Sequence, residues 1–322
     1  MIGNNIKTAI VSVEQIKNQK TNKLLMKLLR NTATVALLLI STNIHAQLNP
    51  FGNMYFQNQY LMNSAMAGTN TGWNVAAALK AQWTAIEGAP VMQAVTIDYG
   101  LLKKKVGLGF TLYNESAGIF KRTGTKISYA YHIGMGKKNE NFIDLGLSAG
   151  IVDEKIDLYK VQGDLDDVSI SNFNDRKVNF DGDFGIAFRL NRLTLQGSLP
   201  NLKRFLKRDL LRNVADRALF FSSISYKLPM SSAGFTSVEP KVVYRAIQNY
   251  KNIVDVGANV NLSENKLFFN AMYHSTNSTS VGIGTLYKEK LSILCLYTTN
   301  TSDLYNYSNG EVEIGIKLKM GK

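Results

Sequence analysis

The run Tyr-His-Ser-Thr-Asn-Ser at residues 273–278 sets His274 beside Ser275. An imidazole that takes a hydroxyl proton makes serine a nucleophile, the chemistry of a hydrolase. Neighbours on an extended strand point to opposite faces, so these two do not pair readily. A second stretch, Gly-Asp-Leu-Asp-Asp-Val-Ser at 163–169, offers the oxygen ligands that Ca²⁺ takes. It lacks the full EF-hand spacing and reads as a solvated acidic loop. Gly-Leu-Gly at 107–109 lies inside an alternating segment, where it is no phosphate loop. Of the three histidines, His45 falls in an N-terminal export signal, His132 is predicted to face inward from a strand, and His274 sits at a strand end. No catalytic constellation, cofactor motif or metal set emerges, and the expectation is a protein that is not an enzyme.

The elements that carry these residues are strands. Val106, Leu108, Phe110 and Leu112 alternate with Gly107, Gly109, Thr111 and Tyr113, and Ile127, Tyr129, Tyr131 and Ile133 alternate with Lys126, Ser128, Ala130 and His132. This period of two recurs in fourteen segments, at about 73–83, 91–101, 105–114, 124–134, 141–151, 178–190, 192–199, 218–228, 237–247, 252–262, 265–275, 278–287, 289–299 and 310–320. Each has the length of a tilted strand that crosses a bilayer. Only about 203–217 looks helical and amphipathic, so no helical layer covers so many apolar faces. The faces therefore meet lipid, and closure removes the sheet edges. The opposite faces place Lys80, Asp98, Lys126, Asp144, Asp181, Asp183 and Arg189 in the lumen. Their mixed signs suit pairing across the interior better than the single-sign lining of an ion-selective pore.

Composition agrees. Of the 322 residues 45% are hydrophobic and 19% charged, with 15 Tyr, 15 Phe and only 5 Pro. Mean hydropathy is −0.09, which a barrel reaches because alternation hides its apolar face. After residue 46 no apolar run reaches the ~18 residues of a spanning helix. Net charge is +13, of which residues 1–46 hold +5. The basic residues are scattered through turns and strands, not grouped on a helix, which argues against a nucleic-acid partner. Cys295 is the single cysteine.

Lys27 and Arg30, the apolar core Ala33 to Ile40 and Ala46 form an export signal, residues 1–46, with Met26 as an alternative start and Gln47 as the first mature residue. Residues 47–72 form a periplasmic arm or a plug, and 73–322 the barrel. With the N-terminus periplasmic, the predicted periplasmic turns, such as Asn191 and Lys288–Glu289, are short, and the external loops 152–177, 200–217 and 300–309 are long. That sorting is the outer-membrane pattern. The expected fold is an all-β transmembrane antiparallel barrel of about 14 strands in the outer membrane.

The stretch Tyr55 to Thr69, YFQNQYLMNSAMAGT, followed by AQWTAIEGAP at 81–90, resembles the PorP/SprF family of Bacteroidetes outer-membrane proteins. Asn63, Ala65, Ala67 and Gly68 match its Asn-Pro-Ala-x-Ala-Gly element, with Ser64 in place of Pro. Gln82, Trp83, Gly88, Ala89 and Pro90 match its Gln-Trp-x-x-x-x-Gly-Ala-Pro element. The likeness continues through 106–120, 127–133, 145–151, 193–202 and 239–246. It implies a multi-pass barrel of the type IX secretion and gliding-motility machinery. The implied partners are periplasmic ring components and an exported, adhesin-like cargo, without cofactors. Read from the residues alone, Gly88 and Pro90 set a turn and Trp83 suits the headgroup level. A direct partner contact by these motif residues is the other reading. Barrel architecture by itself also fits a small-solute porin.

Overall fold

The computed structural model describes residues 54–101, 105–136, 140–161, 168–175, 178–203, 218–232, 234–247, 252–299 and 309–321. All lie in the compact unit Ile44–Lys322. The export signal and most of 203–217 and 300–309 lie outside the described residues.

The strands are β1 (Gly72–Gln82), β2 (Val91–Gly100), β3 (Val106–Ala117), β4 (Phe120–Met135), β5 (Asn141–Ile156), β6 (Asn179–Leu190), β7 (Leu193–Leu199), β8 (Ala218–Tyr226), β9 (Leu228–Ser232), β10 (Phe235–Ile247), β11 (Ile253–Leu262), β12 (Leu267–His274), β13 (Ser278–Tyr287), β14 (Leu291–Thr298) and β15 (Glu311–Met320). Apart from β9, each pairs antiparallel with its sequence neighbours, and β15 returns to β1 in register from Trp73↔Met320 to Gln82↔Glu311. The sheet is therefore a closed barrel, without edges. β8 and β9 are one stave in two pieces. Both pair with β10, through Lys241↔Ser225 and Val238↔Leu228, and the break falls at Lys227. Pro229 follows, with no N–H to give to a ladder. The described strands thus make fourteen staves.

Parity sorts the side chains. Ile127, Tyr129, Tyr131 and Ile133 are exposed on the outer wall, while Ser128, Ala130 and His132 between them are buried inside. The same holds around the barrel, with Leu147 at 58% and Phe180 at 65% exposure among the outward residues. A continuous apolar outer wall with a polar interior is the signature of a barrel in lipid. No helix among the described residues is long and apolar enough to cross a membrane, so the crossing is made by strands.

We call the rim holding Gly72 and Met320 the near rim and its opposite the far rim. The near-rim hairpins are tight. Ser263, Glu264 and Asn265 have φ of 48°, 58° and 67°, and Lys288 and Glu289 have 48° and 58°. Successive positive φ values match the twist of the flanking strands and fix their register. At the far rim the ladder outruns the sequence expectation. Strand segments expected to end at 114, start at 124 and end at 151 instead run to Ala117, from Phe120 and to Ile156. The outward residues explain why. Leu112 gives way to Asn114 and Ser116, Ile127 to Thr125 and Thr123, and Ile151 to Asp153 and Lys155. Apolar alternation stops at the edge of the lipid, while hydrogen-bonded pairing continues into water as a three-stranded flap. Arg122 ties the flap's inner face, lying between Glu115 at 3.7 Å and Glu154 at 3.6 Å.

Candidate functional site: a plugged lumen and two rims

Residues 54–70 cross the lumen. A short helix Gln59–Met62 and a 3-10 turn Ser64–Met66 give them local structure, each capped by an asparagine side chain. Asn58 accepts from the Leu61 N–H and Asn63 from the Ala65 N–H. Contacts run to the wall on all sides. The Tyr55 hydroxyl donates to Asp255 at 2.8 Å, Asn58 to Thr96 at 2.9 Å, and Gln57 to Ser292 at 3.1 Å. Lys241 donates to the Tyr55 carbonyl at 2.9 Å, and Lys317 to the Gln57 carbonyl at 3.0 Å. Tyr60 and Ser128 share a hydrogen bond of 2.8 Å. The apolar core lies between plug and wall. Met54 packs with Met92, Phe268, Leu294 and Leu296, while Tyr55 packs with Phe221, Val243 and Met272.

The wall is thinned to receive this segment. A Cβ on Gly107 would overlap the Ala67 carbonyl, one on Gly146 the backbone of Ser64 and Ala65, and one on Gly185 the Asn63 side chain. These glycines sit inside strands, where glycine otherwise weakens the sheet; close backbone approach accounts for them.

The motif residues divide between this plug and the far rim. Asn63 is buried, and its Nδ2 donates to the Ile186 carbonyl at 3.1 Å. Gly68 has φ +68°, its amide donates to Asp98 at 3.0 Å, and the Tyr99 carbonyl stands where a Cβ would fall. At the far rim Gln82 is buried. Its amide donates to the Pro90 carbonyl at 3.0 Å and its side chain to Glu311 at 2.5 Å. Trp83, half-buried with φ +52°, donates its amide to the Gly310 carbonyl at 2.8 Å. Ala89 donates to Ile86 at 3.2 Å, and the Gly88 carbonyl accepts from the Gly118 amide at 2.7 Å. Residues 82–90 thus form a rigid platform joined to the β3–β4 turn and the start of β15. The structure does not bring Asn63 and Gly68 together with this platform.

Of the seven lumen charges read from parity, most are paired. Asp144 accepts from Arg189 at 2.6 Å and contacts His132 at 2.7 Å, whose other ring nitrogen meets the Ala67 carbonyl at 3.0 Å. Lys126 reaches Asp183 at 2.6 Å. Lys80 pairs with Glu311 at 2.8 Å and Glu313 at 3.5 Å. Asp98 holds the Gly68 amide and Asn74. Parity also reaches Lys241, Arg245, Asp255 and Lys317, which the sequence reading did not single out.

His274 does meet a serine, but across the barrel wall and not along the chain. Its Nδ1 lies 2.7 Å from Asp255 and its Nε2 2.6 Å from the Ser280 hydroxyl. That is the spacing of a nucleophile relay. Ser280 is 1% exposed and its hydroxyl is also shared with Thr298 at 2.7 Å. No substrate reaches it in this arrangement, and the array fixes strands β11–β14 to one another. Ser275, the neighbour in sequence, donates nothing to His274; its hydroxyl accepts from the Val254 amide. Among the described residues no three His, Cys, Asp or Glu side chains are placed to hold a metal ion. Most of the acidic run 163–169 lies outside them.

The plug divides the lumen. On its far side is a cavity of about 190 Å³ lined by Leu61, Tyr113, Arg122 and Lys126; on its near side is a chamber of about 820 Å³. Tyr60 lines both.

A closed antiparallel barrel with an apolar outer wall, a charged interior and an internal plug is a multi-pass outer-membrane protein. Residues 44–318 match the family described as type IX secretion system membrane protein PorP/SprF, and the chain belongs to that family. It is a family of secretion membrane proteins and not of enzymes. Comparison with curated proteins gives no match. Among solved structures the chain is similar to the outer membrane protein Omp33 of Acinetobacter baumannii, at 6% identity over 79% of this chain and 100% of that one, with a TM-score of 0.46. It is also similar to the KdgM porin, at 7% identity over 77% and 99% with a TM-score of 0.39. A mutant Rh. blastica porin gives 10% identity over 77% and 99%, with a TM-score of 0.33.

Proposed function

We propose that the protein serves type IX secretion as a docking barrel, assisting export or surface attachment of particular cargo proteins of the large-adhesin kind. The observation that carries this is the filled lumen: residues 54–70 bond to the wall from β2 to β15, and the two cavities lie on opposite sides of them. A barrel closed in this way works through its rims. Loops on a rigid scaffold are where binding resides. The near rim, taken as periplasmic, meets the ring components of the machinery. The far rim, with its platform 82–90 and its flap, meets cargo. The mature chain begins at Gln47, after removal of the signal.

Deleting the gene is expected to abolish secretion or display of one or a few large proteins and to leave permeability to small solutes unchanged. Comparing the secreted and surface proteomes with antibiotic and sugar uptake checks this. Deleting 156–172 is expected to leave a folded barrel and to impair cargo attachment. A null strain that loses uptake of a small solute while its surface proteome stays intact overturns the docking reading in favour of a porin.

A further inference from the structure

Two features set the near-side chamber apart. Arg192 and Lys227 stand exposed at its mouth, with Lys319 on the opposite wall beside Lys317, which also holds the Gln57 carbonyl. Four carboxylates share the lining, and three are already engaged: Asp98 by the Gly68 amide and Asn74, Glu239 by Lys241 and Glu264 by Lys266, with Glu289 the fourth. Deeper, Asn270 on β12 is 5% exposed, and neither the donor nor the acceptor of its carboxamide has a hydrogen-bond partner among the described residues. Buried amides are ordinarily bonded, and an unbonded one is costly. The cations also belong to a larger asymmetry. At the described near rim Lys105, Arg192, Lys227, Lys266, Lys288 and Lys290 face only Glu140, Glu264 and Glu289. The connecting segments 102–104 and 137–139 add four lysines and no acid.

We propose that the chamber is a receptor for an acidic, extended polypeptide segment presented by a partner at the near rim. Carboxylates answer the cations at the mouth. The Asn270 carboxamide, offering a donor and an acceptor together, matches the N–H and C=O of an extended main chain. The chamber's 820 Å³ lies within the usual size of ligand sites, room for a few residues and not for a folded domain. Arg192, Lys227, Lys317 and Lys319 line the interior, whereas a lipid headgroup needs cations on the outer wall. The proposal rests on reading the rims as docking surfaces, yet the two fail separately. A barrel that restores secretion to the null strain without binding acidic peptide removes the chamber alone.

The test uses the purified barrel in neutral detergent and a fluorescein-labelled octapeptide of alternating Glu and Ser, read by anisotropy. Saturable binding that weakens with salt is expected, as for exposed charges. The double variant Arg192→Gln/Lys227→Gln and the single variant Asn270→Leu should each weaken it at least about tenfold, since one tenfold step is the loss of a single good contact. Lys266→Gln/Lys288→Gln, outside the chamber, should leave it unchanged. All variants should keep the heat-modifiable migration of a folded barrel; where Asn270→Leu does not, Asn270→Asp keeps the size and should weaken binding by repulsion. Absence of saturable binding overturns the proposal, as does equal binding of a Gln-Ser octapeptide. So do an equal loss in Lys266→Gln/Lys288→Gln and displacement of the peptide by phosphatidylglycerol vesicles, which assigns the cations to lipid.

Discussion

Asp255 collects three donors in the lumen: the Tyr55 hydroxyl, Arg245 at 2.9 Å and the His274 ring. Replacing it with alanine leaves a buried guanidinium without its main counter-charge, a loss of about 3–5 kcal/mol for a buried pair. Urea unfolding in detergent should show it, with Ser222→Ala as a mild control. On the outer wall, Phe110→Arg or Ile293→Arg should cost about 2–4 kcal/mol near the membrane midplane, and changes at the lumen residue Thr111 far less. Cys295 is exposed on that same wall between Ile293 and Tyr297. In intact cells a water-soluble maleimide should label it poorly, and detergent extraction should raise the labelling. The faces of Phe110, Thr111, Ile293 and Cys295 were legible from period two alone. The partners of Asp255 and His274 were not. His274 meets Ser280 across the β12–β13 hairpin, a pairing that depends on the register of the two strands and not on the Ser275 beside it in sequence.

The strands themselves were readable wherever lipid touches one face, because lipid is what enforces alternation. Where that pressure ends, so does the signal. β3, β4 and β5 keep pairing past Leu112, Ile127 and Ile151 with outward Asn, Thr, Asp and Lys that any loop could carry. Residues 54–70 were unreadable for the opposite reason. They touch wall on every side, so no face is distinguished and no period arises. At the tip of the flap, Lys121 donates to Asp157 at 2.7 Å. That hydrogen bond holds the Asp157 carboxyl below its ordinary 3.8. A carboxylate lowered on folding stabilises the folded form above its unfolded value, and the contribution fades as pH falls through the lower folded value. Amide exchange at Tyr159 and Lys160 should therefore be insensitive to pH from neutrality down to about 5, beyond intrinsic chemistry, and lose protection only below 3.8. Lys121→Gln should bring that loss to higher pH.

At the scale of the molecule, the filled lumen predicts low permeability. Reconstituted in planar bilayers, the protein should show no large steady conductance. Gly107→Val, which pushes against the Ala67 carbonyl, should raise conductance or the protease sensitivity of 54–70 while the barrel stays closed. The order of segments along the chain adds a further constraint. The plug precedes β1, and the last strand, β15, seals against β1 only when every other stave is in place. Lys317, near the end of the chain, holds the carbonyl of Gln57 across 260 residues. Contacts of such sequence separation form late and slowly. Because its bonds run to staves on both sides of that seam, the N-terminal segment is expected to lie within the curving sheet when the seam shuts. It acts as a mandrel around which the staves are rolled. Removing 54–70 should then yield not an open tube but a chain that stalls before closure, visible as strands with a protease-accessible seam and no heat-modifiable species.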